Sequence, residues 1–245
     1  MTEDALLGGL VRLLQPRAGY RAATDPVLLA AASAAKPGAR VLDAGCGAGA
    51  AMLCLAARVP GLETHGLELQ PPYAGLARRN ADLNGVAAAI WDGDLFGPPA
   101  ELRRIGFDIV MTNPPYFDAF GAPSPDPGRD AARRATGGRS AAEWTAAAVA
   151  RLRSGGRFAT IHLAAKLPEI LAGLAGAGDI AVLPLQSRAG RDAKRVIVTA
   201  RKGARGPFRI APPLIIHDGE THRRDADDFS TAADAVLRRG APLRF

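Results

Sequence analysis

The run Arg40-Val41-Leu42-Asp43-Ala44 stops abruptly in Gly45-Cys46-Gly47-Ala48-Gly49, and this junction constrains the fold more than any other stretch of the chain. The apolar run reads as a strand. The glycines let the turn after it bring backbone close to a ligand, and the helix that follows, about Ala50 to Arg58, presents free N–H groups there. A second strand, Thr64 to Leu69, and a helix from Pro71 to Asn84 closed by Gly85 continue a βαβ alternation. A third short strand covers Ala87 to Trp91, and a fourth covers Phe107 to Thr112.

The residues around the junction indicate what the turn can hold. Its G-x-G-x-G spacing differs from the G-x-G-x-x-G of dinucleotide binders, and Asp43 just before it would repel a pyrophosphate. A ligand carrying an ammonium or sulfonium fits better. The second strand ends in Glu68, placed to accept from a ribose diol. The fourth strand ends in Asn113-Pro114-Pro115-Tyr116. Two prolines cannot continue a central strand and donate no N–H, so the chain leaves the sheet with carbonyls unpaired. The Asn113 side-chain oxygen and the Pro114 carbonyl can together accept both hydrogens of a planar NH2, while Tyr116 offers a ring for stacking. Taken alone, these four residues also suit a plain proline turn with a packed tyrosine.

The glycine turn, Glu68 and Asn113-Pro114-Pro115-Tyr116 resemble motifs I, II and IV of class I S-adenosylmethionine-dependent N-methyltransferases. Gln15 to Arg21 and Thr24 to Ala30, both ahead of motif I, are similar to stretches of the bacterial tRNA1(Val) adenine-37 N6-methyltransferase family, and the similarity runs from about Leu7 to about Leu163 and continues weakly to the C-terminus. The resemblance implies an α/β class I (Rossmann-like) fold: a seven-stranded, mostly parallel sheet with helices on both faces and an antiparallel last strand. It implies S-adenosylmethionine as cofactor and tRNA as substrate. The cofactor residues would be Thr24, Asp25, Asp43, Gly45, Cys46, Gly47, Gly49, Glu68, Leu69, Asp94, Leu95 and Asn113, with Thr24 and Asp25 at the methionine end. Asp94 is preferred to Asp92 for the cofactor adenine because Leu95 and Phe96 could then wall the ring. Asn113, Pro114, Pro115 and Tyr116 would be catalytic. The chain departs from the family where an aromatic residue is expected near the start of the last helix and Phe229-Ser230 stands instead.

At 245 residues and 48% hydrophobic, the chain is expected to form one domain. Residues 1–36 would be an N-terminal hairpin and helix, 37–205 the catalytic core, and 206–245 a C-terminal strand and helix. Leu6 to Leu14 and a turn over Gly19 to Thr24 would make the hairpin, and Thr24 or Asp25 would cap the helix that starts at Pro26. Met1-Thr2-Glu3-Asp4 is acidic where a signal peptide is basic, and no apolar run reaches membrane-spanning length, so a cytoplasmic location is expected. Cys46 and Cys54 are read as free thiols.

The net charge of +7 favours a polyanionic partner, although 27 arginines against four lysines is also what a GC-rich genome produces. Distribution is more informative than the total. Arg188, Arg191 and Lys194 belong to a basic stretch between Gln186 and Arg209, and Arg129, Arg133, Arg134 and Arg139 form a second cluster after the proline motif. Both are candidate RNA contacts. Phe117 to Arg139 reads as a long loop able to act as a lid, and Ile180 to Leu185 with Val196 to Ala200 as a hairpin. His217 to His222 invites a metal reading, but exposed loop character without a cysteine disfavours it, and no metal is expected. His65 and His162 are read as strand residues.

Three alternatives stay open. A protein glutamine N5-methyltransferase would grip an amide NH2 with the same motif, although its kind usually carries a larger domain before motif I. An rRNA or DNA adenine N6-methyltransferase is the second, and an RNA-binding protein without activity is the third.

Overall fold

The computed structural model describes residues 1–17, 21–114, 138–219 and 228–245. The chain begins with β1 (Thr2–Leu6) and β2 (Val11–Gln15), an antiparallel pair in which Thr2 lies opposite Gln15 and Leu6 opposite Val11. The expected hairpin was placed too late. Its turn is a single 3-10 turn over Leu7–Gly9, inside the stretch that read as continuous, because Gly8 and Gly9 take φ of +64° and +93°. The hairpin stands apart from the main sheet and is held by α3 (Pro71–Leu83). Asn80 Oδ1 accepts from Leu14 N at 2.8 Å, and its Nδ2 donates to Leu14 O at 3.0 Å and to Ala48 O at 2.9 Å. One turn on, Asn84 repeats the pattern on the N–H and carbonyl of Arg12, at 2.9 and 2.7 Å.

Helix α1 (Asp25–Ala32) follows, with Pro26 in its first turn. Neither expected cap operates. Thr24 is itself helical in conformation and makes no side-chain cap bond, while the Asp25 carboxylate is paired with Arg195.

The central sheet has the order β5-β4-β3-β6-β7-β9-β8, with β3 (Arg40–Ala44), β4 (Glu63–Glu68), β5 (Ala88–Asp92), β6 (Phe107–Thr112), β7 (Leu152–Leu163), β8 (Ala177–Gln186) and β9 (Ala193–Lys202). Strands β3 to β7 pair in parallel, and β9 runs antiparallel to both β7 and β8. These are the seven strands expected, with the last one reversed. Two further strands of two residues each, β10 (Arg209–Ile210) and β11 (Leu214–Ile215), add to the outer edge along β8 and make nine among the described residues. They fall in the C-terminal region expected to hold one strand, which is here two short ones.

Both faces are covered, as near-continuous apolar strands require. Val41, Ile109, Met111 and Ile197 pack against α1, α2 (Ala50–Arg58), α3 and α7 (Thr231–Leu237). Leu42, Val110, Phe158 and Val198 face α4 (Ala100–Arg103), α5 (Ala141–Ala150) and α6 (Leu167–Ala172). The alternation Val41/Leu42 and Ile109/Val110 is the two-residue period of a strand. Leu42 is fully buried, so Leu42→Ala would cost about 2–5 kcal/mol. Arg58 of α2 donates to Val236 O and Ala241 O, at 2.7 and 2.9 Å, tying the last helix to the same layer. Among the described residues, no helix is long and apolar enough to cross a membrane.

Candidate active site

The strand order reverses at β3, which lies between β4 and β6, and the carboxyl ends of these three strands carry the residues singled out by the sequence. In an open α/β sheet, a switch point of this kind leaves a crevice. Gly45, Gly47 and Gly49 have φ of +75°, +55° and +89°, so the turn needs the conformation that glycine adopts most readily. Gly45 N and Cys46 N both donate to Leu67 O, at 2.8 and 3.0 Å, which anchors the turn to β4. A Cβ on Gly47 would meet nothing within 4 Å, so the middle of the turn faces open space.

Two carboxylates floor this space. Asp43 is 2% exposed and accepts from Met52 N at 3.1 Å, inside the first turn of α2. Glu68 is 7% exposed. Its Oε2 accepts from Gly47 N at 2.8 Å and its Oε1 from Gln70 N at 2.9 Å. Burial pushes Asp43 up to about 7 and raises Glu68 as well. Backbone N–H groups partly offset this, and the charges of Glu68 on Asp43 and of Asp92 on Glu68 add to it. The floor is therefore short of positive charge, a property that suits a cationic ligand. Leu69 stands at the rim, 36% exposed.

Asp94 and Leu95 follow β5. Asp94 Oδ1 accepts from Phe96 N at 3.0 Å, whereas Asp92 is engaged by Arg78. Of the two, Asp92 is thus the one already paired with a side-chain cation. Leu95 is buried in the core, and Phe96 rather than Leu95 is the half-buried side chain there. Asp25, paired with Arg195, lies at this same end of the sheet, since Arg195 is opposite Leu163 at the carboxyl end of β7. Thr24 is half-buried beside it.

Asn113 immediately follows β6 and is half-buried, and Pro114 is buried. Pro115 and Tyr116 lie outside the described residues, as do Arg129, Arg133 and Arg134 and most of the expected lid. Two residues that the sequence reading passed over hold this strand end. Thr112 Oγ1 donates to Ala44 O at 2.7 Å and accepts from the Trp144 indole N–H at 2.9 Å. Trp144 also abuts the turn, because a Cβ on Gly45 would meet its ring at 3.1 Å, and it takes Phe96 edge-on with centroids 5.9 Å apart. The signal available was a single aromatic residue in an otherwise alanine-rich helix.

Of the basic candidates, Arg139 is exposed and lies over the Phe96 ring at 4.6 Å, and Arg191 and Lys194 are exposed at the β8–β9 connection. Arg188 is not on that surface. It is 8% exposed, is bonded to Asp228 at 2.5 Å and donates to the carbonyls of Asp218 and Gly219. A carboxylate three residues before the start of the last helix captured it.

His217 bonds Asp228 at 2.8 Å and stacks on Phe229. Glu220 and His222 lie outside the described residues, and no group of three metal-ligating side chains occurs among those described. His65 and His162 are buried strand residues, as read. Cys46 and Cys54 are buried free thiols, with Cys54 pushed up to about 12 by burial, so neither is a ready thiolate. A cavity of about 210 Å³ opens elsewhere, toward the other end of the sheet, lined by Ser33, Arg157, Thr199, Arg201 and Phe245. None of its lining residues belongs to the candidate site.

Residues 23–124 match the family model of the methyltransferase small domain. Over 122 residues the chain is 37% identical to a tRNA1(Val) (adenine(37)-N6)-methyltransferase of Yersinia pestis, covering 48% of each protein. Over 94 residues it is 35% identical to a release factor glutamine methyltransferase of Geobacter sulfurreducens, covering 38% of this chain and 32% of that protein. The chain thus spans about half or less of the length of these relatives. Among solved structures, a predicted O-methyltransferase from Agrobacterium tumefaciens superposes with a TM-score of 0.70 at 26% identity, over 90% of this chain and 98% of that one. The fold is that of the class I S-adenosylmethionine-dependent methyltransferases.

Proposed function

We propose that this chain, with its class I methyltransferase fold and methyltransferase small domain, transfers a methyl group from S-adenosylmethionine to a planar NH2 nitrogen, the N6 of an adenine in tRNA. The observation that carries the reading is the placement of Asn113 at the end of β6, next to a glycine turn floored by Asp43 and Glu68. The fit to the cofactor rests on the open space over Gly47 and on two buried acids whose bonded donors are backbone N–H groups. When bound, S-adenosylmethionine supplies an electrophilic methyl group on a positively charged sulfur.

The chain's own contribution is position and electrostatics, and no covalent nucleophile is needed. Glu68 would accept from the ribose hydroxyls, Asp43 would favour the positive end of the cofactor through the α2 terminus, and Asp94 would accept from the adenine amino group. Asn113 and the Pro114 carbonyl would accept both N–H bonds of the target NH2, drawing nitrogen density out of the ring and aiming the lone pair at the methyl. Tyr116 would hold the base flat. Arg139, Arg191 and Lys194 would meet phosphates.

A second reading, methylation of a glutamine amide, is favoured by the 35% identical glutamine methyltransferase and by a site chemistry that does not distinguish an amide from an aminopurine. Purified protein given methyl-labelled S-adenosylmethionine and unmodified tRNA, followed by nucleoside mass spectrometry, should yield N6-methyladenosine. Label that enters a release factor and not tRNA would establish the second reading instead.

A further inference from the structure

Three elements meet at Trp144. Its indole N–H donates to Thr112 Oγ1 at 2.9 Å, and that hydroxyl donates onward to Ala44 O at 2.7 Å. The far edge of the same ring lies against Gly45, so close that a Cβ there would sit 3.1 Å from it. Thr112 is the residue before Asn113, and Ala44 is the residue before the glycine turn. One buried side chain, 6% exposed, therefore touches the strand end that would present the acceptor amide and the turn that would hold the methyl donor.

We infer that Trp144 is a positioning residue of this site, setting the separation between Asn113 and the glycine turn through the chain Trp144–Thr112–Ala44. Ordinary packing does not require this arrangement. A phenylalanine would fill most of the space against Gly45 and Phe96, and a valine would fill that of Thr112. The two polar groups satisfy each other across the junction of α5, β6 and β3, in a buried place where an unpaired N–H would be costly. Helix α5 is itself held firmly at this end. Ser140 and Glu143 form a reciprocal capping box, and Ala141 N donates to Glu169 at 3.1 Å. The ring is thus fixed from its own helix before it reaches the strand ends. In-line transfer depends on this separation, because a displacement of about 1 Å can cost about 100-fold in rate.

The inference rests on the methyl-transfer reading above, and its test separates the two. Trp144→Phe keeps a ring on Gly45 and removes the N–H, whereas Thr112→Val keeps the shape and removes the hydroxyl. Each should lower kcat about 10- to 100-fold while the cofactor Kd by calorimetry moves less than about threefold. The double variant should match Thr112→Val alone, because the links lie in series, and Thr112→Ser should restore the rate. Thermal melts would establish that every variant is folded at the assay temperature. Unchanged kcat in folded Trp144→Phe, or losses that multiply in the double variant, would overturn the inference.

A second readout needs no turnover. Trp91 and Trp144 are the two tryptophans, so in a Trp91→Phe background the emission comes from Trp144 alone. Its emission should change as S-adenosylmethionine saturates the protein. Binding seen by calorimetry with unchanged emission would overturn the coupling even if methyl transfer is real. Binding with an emission change, but no transfer to tRNA or release factor, would sink the proposed substrates and leave the coupling standing. Absence of cofactor binding would overturn both.

Discussion

Asp43 and Asp228 are the same residue type, the first buried and the second half-buried, and they have opposite roles. Asp228, with its side chain 13% exposed, sits between Arg188 and His217 and is held down at about 2, chiefly by the hydrogen bond from Arg188. Asp43, 2% exposed, has a backbone N–H as its bonded donor and is pushed up to about 7, chiefly by burial. In the first region a carboxylate and a guanidinium satisfy each other and cross-link the β8–β9 connection to the start of the last helix. In the second, a carboxylate is desolvated with no cation among the described residues bonded to it, which costs stability unless something positive arrives. Charge that is neutralised internally belongs to structure, and charge left in want of a partner indicates a ligand seat.

The sharpest way to break this contrast is at the acceptor amide. Asn113→Ala should lower kcat by about 10³-fold or more in a methyl-transfer assay, with the cofactor Kd nearly unchanged. Equal losses in both would place Asn113 in the cofactor seat instead. Next in size, Glu68→Ala should raise the calorimetric Kd for S-adenosylmethionine about 10- to 100-fold, the worth of charge-assisted hydrogen bonds. In the other region, Arg188→Ala should lower the Tm by several degrees, since it takes the guanidinium from Asp228, yet leave tRNA affinity unchanged within error. A drop in affinity without a drop in Tm would return Arg188 to the RNA surface.

The last prediction concerns the dependence of stability on pH. Folded Asp43 keeps its proton up to about 7 while the unfolded residue releases it near 3.8. The native state thus holds more protons in that interval, and stability falls as pH rises from about 4 to about 7. Denaturant melts across this range should show the fall in the ligand-free wild type and a flatter profile in Asp43→Asn, whose amide oxygen can still accept from Met52. Asp228 gives the opposite sign. Its contribution is complete above about pH 4 and is lost as pH falls toward about 2. A wild-type profile rising through pH 4 to 7 would contradict the account of Asp43.

The sheet was legible because its signals are local. Val41-Leu42, Ile109-Val110 and the glycines that end β3 state strand and turn without reference to anything distant. The positions of Glu68 and Asn113 were legible for the same reason, each standing at the end of an apolar run. Arg188 was misread because its partner lies forty residues on, and no count of charges along the chain reveals a pairing made by folding. The hairpin turn was displaced because Gly8-Gly9 sits inside an apolar stretch, where a periodic reading passes over it. Trp144 was missed because its role is a contact with β3 and β6, whereas its sequence setting, alanines on a helix, says only that it is buried.

The two asparagines of α3 have a consequence for how the molecule opens. The amides of Arg12 and Leu14 are bonded to side-chain oxygens of Asn84 and Asn80, not to a neighbouring strand, so their protection from hydrogen exchange is borrowed from the helix. Those two amides should exchange in step with the unfolding of α3. Because Asn80 also holds Ala48 O, the same opening event would free the Ala48 side of the glycine turn, and two amides near the start of the chain would report on the mobility of a candidate ligand seat more than thirty residues away.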